Sequence, residues 1–179
     1  MAPKLVFGRR TLCPLNQNSK TLTNATRAVG GRVDQLKNDK VYCRQVNVEF
    51  THAAAKAMNA LLAPKLPGSK SFRFVFCSGS YSEWDQSKRL LFLGDSRRIK
   101  GEIEQRLCEM DDAEERFESW ILRPMGLQDQ DTPAVQRMFM RPLGFAIETE
   151  EVGRVMVKIA FDGAPKRILE NAEIIKLAG

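Results

Sequence analysis

Phe72-Arg73-Phe74-Val75-Phe76-Cys77 runs into Ser78-Gly79; a helix-like stretch from Ser96 to Leu107 follows; then Ser119-Trp120-Ile121-Leu122 runs into Arg123-Pro124-Met125-Gly126. In the first segment Phe72, Phe74 and Phe76 alternate with Arg73 and Val75, the two-residue period of a strand. In the second, Ile99, Ile103 and Leu107 mark one helical face, and the spacing predicts a helix reaching Met110 with Asp95 or Ser96 as its N-cap. The third is a strand that Pro124 stops, because proline lacks the N–H that pairing needs. Strand, helix, strand implies parallel strands joined by a crossover. Ligands of such sheets sit beyond the carboxyl ends of the strands. Ser78 and Arg123 each stand just past a strand end, so a site is expected there.

The flanking sequence continues the alternation. Residues 21–29 read as a strand ending in Gly30-Gly31, a tight turn. Residues 41–62 place Val46, Phe50, Ala54, Ala57, Met58 and Leu61 at helical spacing, and Pro64 and Pro67-Gly68 close that helix. Residues 79–94 are a long loop, with Trp84 and Phe92 as its expected anchors. After a loop over 123–133, short helices are expected at 134–140 and 148–161, the latter stopped by Asp162-Gly163. A strand at 167–170 and a helix at 172–178 capped by Asn171 complete the chain. The fold class expected is α/β with a mostly parallel sheet.

The chain has 179 residues, 43% hydrophobic and 28% charged, enough for one domain with its own core. No apolar run approaches the ~20 residues of a bilayer span, so no membrane partner is expected. Four separated cysteines and one histidine, His52, give neither a disulfide framework nor clustered ligands, and no metal site is expected. His52, beside an alanine-rich helical face, reads as structural or exposed, and Cys77 as a small buried hydrophobe. Sparse cysteine points to a reducing compartment, the cytoplasm. Of the net charge of +6, all lies in the first 33 residues, which hold six basic residues and no acid. The remaining 22 basic residues balance the 22 acidic ones, so no nucleic-acid surface is expected. The basic start reads as an irregular segment, residues 1–21, ahead of a domain at 22–179; a mitochondrial address is the alternative reading.

Ser78 after a strand, Lys100 on the next helix and Arg123-Pro124 after the next strand together resemble the short-chain dehydrogenase/reductase family. Asn47-Val48-Glu49-Phe50-Thr51 is similar to that family's Asn-Val-x-x-Thr helix opening. Lys100-Gly101-x-x-Glu104, Leu122-Arg123-Pro124-x-Gly126, Glu151-Val152-Gly153-Arg154 and Leu169-Glu170-Asn171 look like its atypical, nucleoside-sugar-epimerase-like members of fungal type. The resemblance covers roughly residues 22–178 and implies a Rossmann-like, doubly wound domain binding NADP or NAD. It also implies oxidoreductase or isomerase chemistry on a small-molecule substrate, in a biosynthetic role such as secondary metabolism. By the same resemblance Ser78, Lys100 and Ser96 stand at the reacting centre. Gly30, Asn47, Lys100, Arg123, Pro124 and Gly126 stand at the cofactor.

Two departures matter. In the family a tyrosine four residues before the lysine, on the same helix face, donates the proton. Here that position is Ser96, and a serine hydroxyl is a far poorer acid than a phenol. Tyr81, in the loop after Ser78, is the alternative donor. The family also opens with a strand and a Gly-x-x-Gly-x-x-Gly turn that binds the pyrophosphate, and no such pattern occurs here. Arg9-Arg10 resemble a basic pair for a 2′-phosphate but read better as solvated charges. The domain is thus expected to be N-terminally incomplete. A second expectation follows: a non-catalytic relative acting by binding, with an exposed sheet edge that invites homodimerisation.

Overall fold

The computed structural model describes residues 24–28, 31–129, 131–140 and 142–179. The basic segment 1–21 and Gly30 therefore lie outside the described residues. Four parallel strands form the central sheet: β1 (Asn24–Arg27), β2 (Phe72–Cys77), β3 (Phe117–Arg123) and, numbered last in the chain, β6 (Ile168–Glu170). They lie side by side in the order β1-β2-β3-β6. The register sets Phe74 beside Ala25 on one side and Ser119 on the other.

The pleat of β2 and β3 explains the layers. Phe72, Phe74, Phe76, Phe117 and Ile121 point to one face, and pack with Val48 and Ala55 and with Ile99, Ile103 and Leu107. Val75 and Leu122 point to the other and pack with Val152, Val155, Ile159 and Ile174. The first face is covered by α1 (Lys40–Arg44), α2 (Phe50–Leu62) and α3 (Gly94–Ala113); the second by α5 (Thr149–Asp162) and α6 (Asn171–Ala178). Such two-sided burial is what lets a parallel sheet read as near-continuous apolar strands. A separate pair of two-residue parallel strands, β4 (Leu127–Gln128) and β5 (Ile147–Glu148), brackets α4 (Ala134–Met140). Among the described residues no helix is long and apolar enough to cross a membrane.

Several details differ from the sequence expectation. The helix over 41–62 is not uniform: a π-helical stretch, Gln45–Glu49, separates α1 from α2. Helix α3 starts earlier than expected, at Gly94, after Leu93 in the left-handed region at φ 49°. Asp95 and Ser96 thus lie inside the helix rather than at its cap, and the Ser96 hydroxyl accepts a hydrogen bond from Val33 N (3.0 Å). Asn171 is the first residue of α6 rather than its cap. Glu170 caps it, in a reciprocal capping box with Glu173, while Asn171 accepts from Met125 N and donates to Gly144 O. Phe92 is 71% exposed and anchors nothing, whereas Trp84 does hold its loop.

Candidate functional site

The carboxyl ends of β1 and β2 open onto a cavity of 170 Å³ whose lining includes Gly31, Arg32, Asn47, Cys77, Ser78 and Lys100. Asn47 reaches it from the π-helical stretch, a feature frequent at functional sites because it rotates side chains out of the regular helical rows. Its amide nitrogen donates to Cys43 O (2.8 Å) and Gly31 O (3.1 Å), and its oxygen accepts from Gly31 N (3.3 Å). Asn47 thereby holds Gly31 in place on both its N–H and its carbonyl. Lys100 comes from α3 and donates to the Ser78 carbonyl (3.1 Å). A Cβ on Gly79 would stand 2.5 Å from Lys100 Nζ, so the glycine leaves room for the ammonium. Burial pushes the Lys100 pKa down, with the field of Cys77 opposing it; burial also pushes the Cys77 thiol up.

Behind the cavity lies a second constellation centred on Glu104, whose side chain is completely buried. One of its oxygens accepts from the Ser78 hydroxyl (2.5 Å), the other from Trp84 Nε1 (2.8 Å). Arg123 donates from Nε to both oxygens (3.2 Å each) and also from Nη2. Its remaining arm, Nη1, reaches Glu170 Oε1 (2.8 Å). Charge-assisted bonds of this kind are the strong ones. They tie α3 to the ends of β2, β3 and β6 and to the loop after β2. Gly101 makes the approach of that loop feasible: a Cβ there would meet Glu83 O at 1.8 Å.

The residues expected at the site therefore fall into separate roles. Asn47, Ser78 and Lys100 are brought together. Ser96 is buried and bonded to Val33 N, and the Ser78 hydroxyl is turned to Glu104. Arg123 is engaged by Glu104 and Glu170, and Pro124 ends β3 while its carbonyl accepts from Ser80 N (3.0 Å). Gly126, at φ 52°, passes so close to Phe145 that a Cβ would come within 2.3 Å of its carbonyl oxygen. Tyr81 is 63% exposed, at φ 63°, with the Arg97 guanidinium 5.8 Å from its ring. Glu104 closes the Lys100-Gly101-x-x-Glu104 motif, where the resemblance implies no role for it. The signal for one was its spacing of one turn from Lys100 together with an arginine at the next strand end. Among the described residues, no three His, Cys, Asp or Glu side chains could hold a metal ion.

The cofactor that the resemblance implies, a nicotinamide dinucleotide, can be set against these groups. Lys100 spends one of its three donors on the Ser78 carbonyl and keeps the others for a ligand, whereas both amide hydrogens of Asn47 are taken by Cys43 O and Gly31 O; at 170 Å³ the cavity is well below the ~300 Å³ at which ligand pockets usually begin. A glycine-rich turn for the pyrophosphate is missing from the sequence. No family model matches the chain, and no curated protein matches it in sequence.

Proposed function

We propose that the chain is a Rossmann-like, short-chain-dehydrogenase-type module that binds NAD(P) by its nicotinamide-ribose end. The observation carrying this reading is the meeting of Asn47, Ser78 and Lys100 at one cavity beyond the carboxyl ends of β1 and β2. Lys100 holds the ribose, and Asn47 positions Gly31 in the cavity lining; the bound cofactor supplies hydride chemistry. Binding, rather than reduction, is the role favoured, because both candidate hydroxyls are engaged elsewhere: Ser78 with Glu104 and Ser96 with Val33. Calorimetry with NADPH, NADH and nicotinamide mononucleotide tests it. Binding of all three with similar affinity, lost in Lys100→Met, is expected. No heat from any of them at millimolar concentration sinks the proposal.

A second reading, a small-metabolite reductase or isomerase with Tyr81 as the proton donor, is favoured by one observation. Tyr81 is held at a positive φ, a conformation that non-glycine residues keep only where the surroundings impose it, and often at functional sites. NADPH turnover on a carbonyl panel that vanishes in Tyr81→Phe is the outcome that would select it.

A further inference from the structure

Lys100 is a cation that folding has largely removed from water, and among the described residues no carboxylate pairs with it. Its nitrogen donates to a neutral carbonyl, that of Ser78. Glu104 lies one helical turn on, but its oxygens are taken by Ser78, Trp84 and Arg123. A desolvated amine of this kind is more readily deprotonated, and burial does hold its pKa below the ordinary lysine value. An uncharged lysine amine in a pocket is a nucleophile toward carbonyl carbon. The cavity it faces measures 170 Å³, room for a small molecule of a few heavy atoms. Arg32 lines the same cavity. Asp34 takes its Nε and one Nη, which leaves further donors for a second anion.

We propose that Lys100 is a carbonyl-capturing amine, which forms an imine with a small α-oxo acid whose carboxylate lies toward Arg32. The Nζ lone pair adds to the carbonyl carbon and the C–N bond forms. The carbonyl π pair passes to oxygen, which takes a proton from solvent. Nitrogen gives up a proton, the hydroxyl leaves as water, and the C=N bond closes. No oxidant or reductant takes part. The Ser78 carbonyl, which accepts from the ammonium, remains as acceptor for the N–H of the protonated imine.

The test is reductive trapping on the full chain near neutral pH, with glyoxylate as probe and cyanoborohydride as reductant, followed by peptide mass spectrometry. A carboxymethyl group is expected on Lys100 several-fold faster than on Lys56 or Lys158, both exposed. Lys100→Arg keeps the positive charge but cannot form an imine; in it the fast-labelled fraction disappears while Lys56 and Lys158 label as before. Labelling of Lys100 no faster than of the two surface lysines overturns the proposal, and this comparison within the unaltered chain needs no variant to fold. Propionaldehyde, which lacks the acid, is expected to react more slowly; equal rates overturn the assignment of an α-oxo acid. The experiment contains no nicotinamide, so its outcome and that of the NAD(P) titration are independent.

Discussion

Glu104 sits fully buried where α3 meets the ends of β2 and β3. A fully buried carboxylate is tolerable only with its charge matched and its lone pairs occupied, and Arg123, Ser78 and Trp84 meet both demands. Glu104→Gln keeps the shape but leaves the Arg123 guanidinium facing an amide. A loss of about 3–5 kcal/mol is expected, the range for breaking a buried pair. Urea denaturation followed by tryptophan fluorescence measures it, since Trp84 donates to the same carboxylate. A loss under about 1 kcal/mol, typical of an exposed pair, would mean that the ion pair is solvated in solution.

The contact between α3 and the loop after β2 depends on an atom that is missing. Gly101→Ala sets a methyl group against the Glu83 carbonyl and forces the loop outward. Overpacking of this kind costs about 1–3 kcal/mol. Hydrogen exchange is expected to show faster opening of residues 79–93 with the strands unchanged, and uniform protection would contradict the role given to Gly101. The same region shows what sequence could and could not disclose. Strands β2 and β3 were legible because alternating phenylalanines and a stop at Pro124 are local signals. Ser78 was legible as a residue just past a strand end, whereas Asn47 and Lys100 entered only through the family resemblance. The start of α3 was not legible: Ser96 lies inside the helix, and its hydroxyl is bonded to Val33, 63 residues away. Strands β4 and β5 were not either, as two residues carry no period. The hub role of Glu104 depends on partners 26 residues before and 19 after it, which no window of sequence brings together.

At the scale of the whole molecule the sheet separates two cores. Leu107 belongs to the one under α1–α3, and Ile159 to the one under α5 and α6. Each truncation to alanine is expected to cost about 2–5 kcal/mol. Because the side chains share no cluster, the double variant should equal the sum within roughly 0.5 kcal/mol. Chemical denaturation of the two single variants and the double variant checks this, and a larger coupling would mean that strain passes through the sheet. The strands that divide these cores are all parallel, and β2 meets β3 across a gap such as Phe72 to Phe117. Long connections of this sort make pairing slow to form. The bonds from Arg123 to Glu104 and Glu170 need three elements already in place. An interaction completed last lowers the rate of unfolding while leaving the rate of folding nearly untouched. The ion pair behind the cavity is thus expected to act as a brake on opening, read as faster unfolding at a nearly unchanged folding rate in Glu104→Gln.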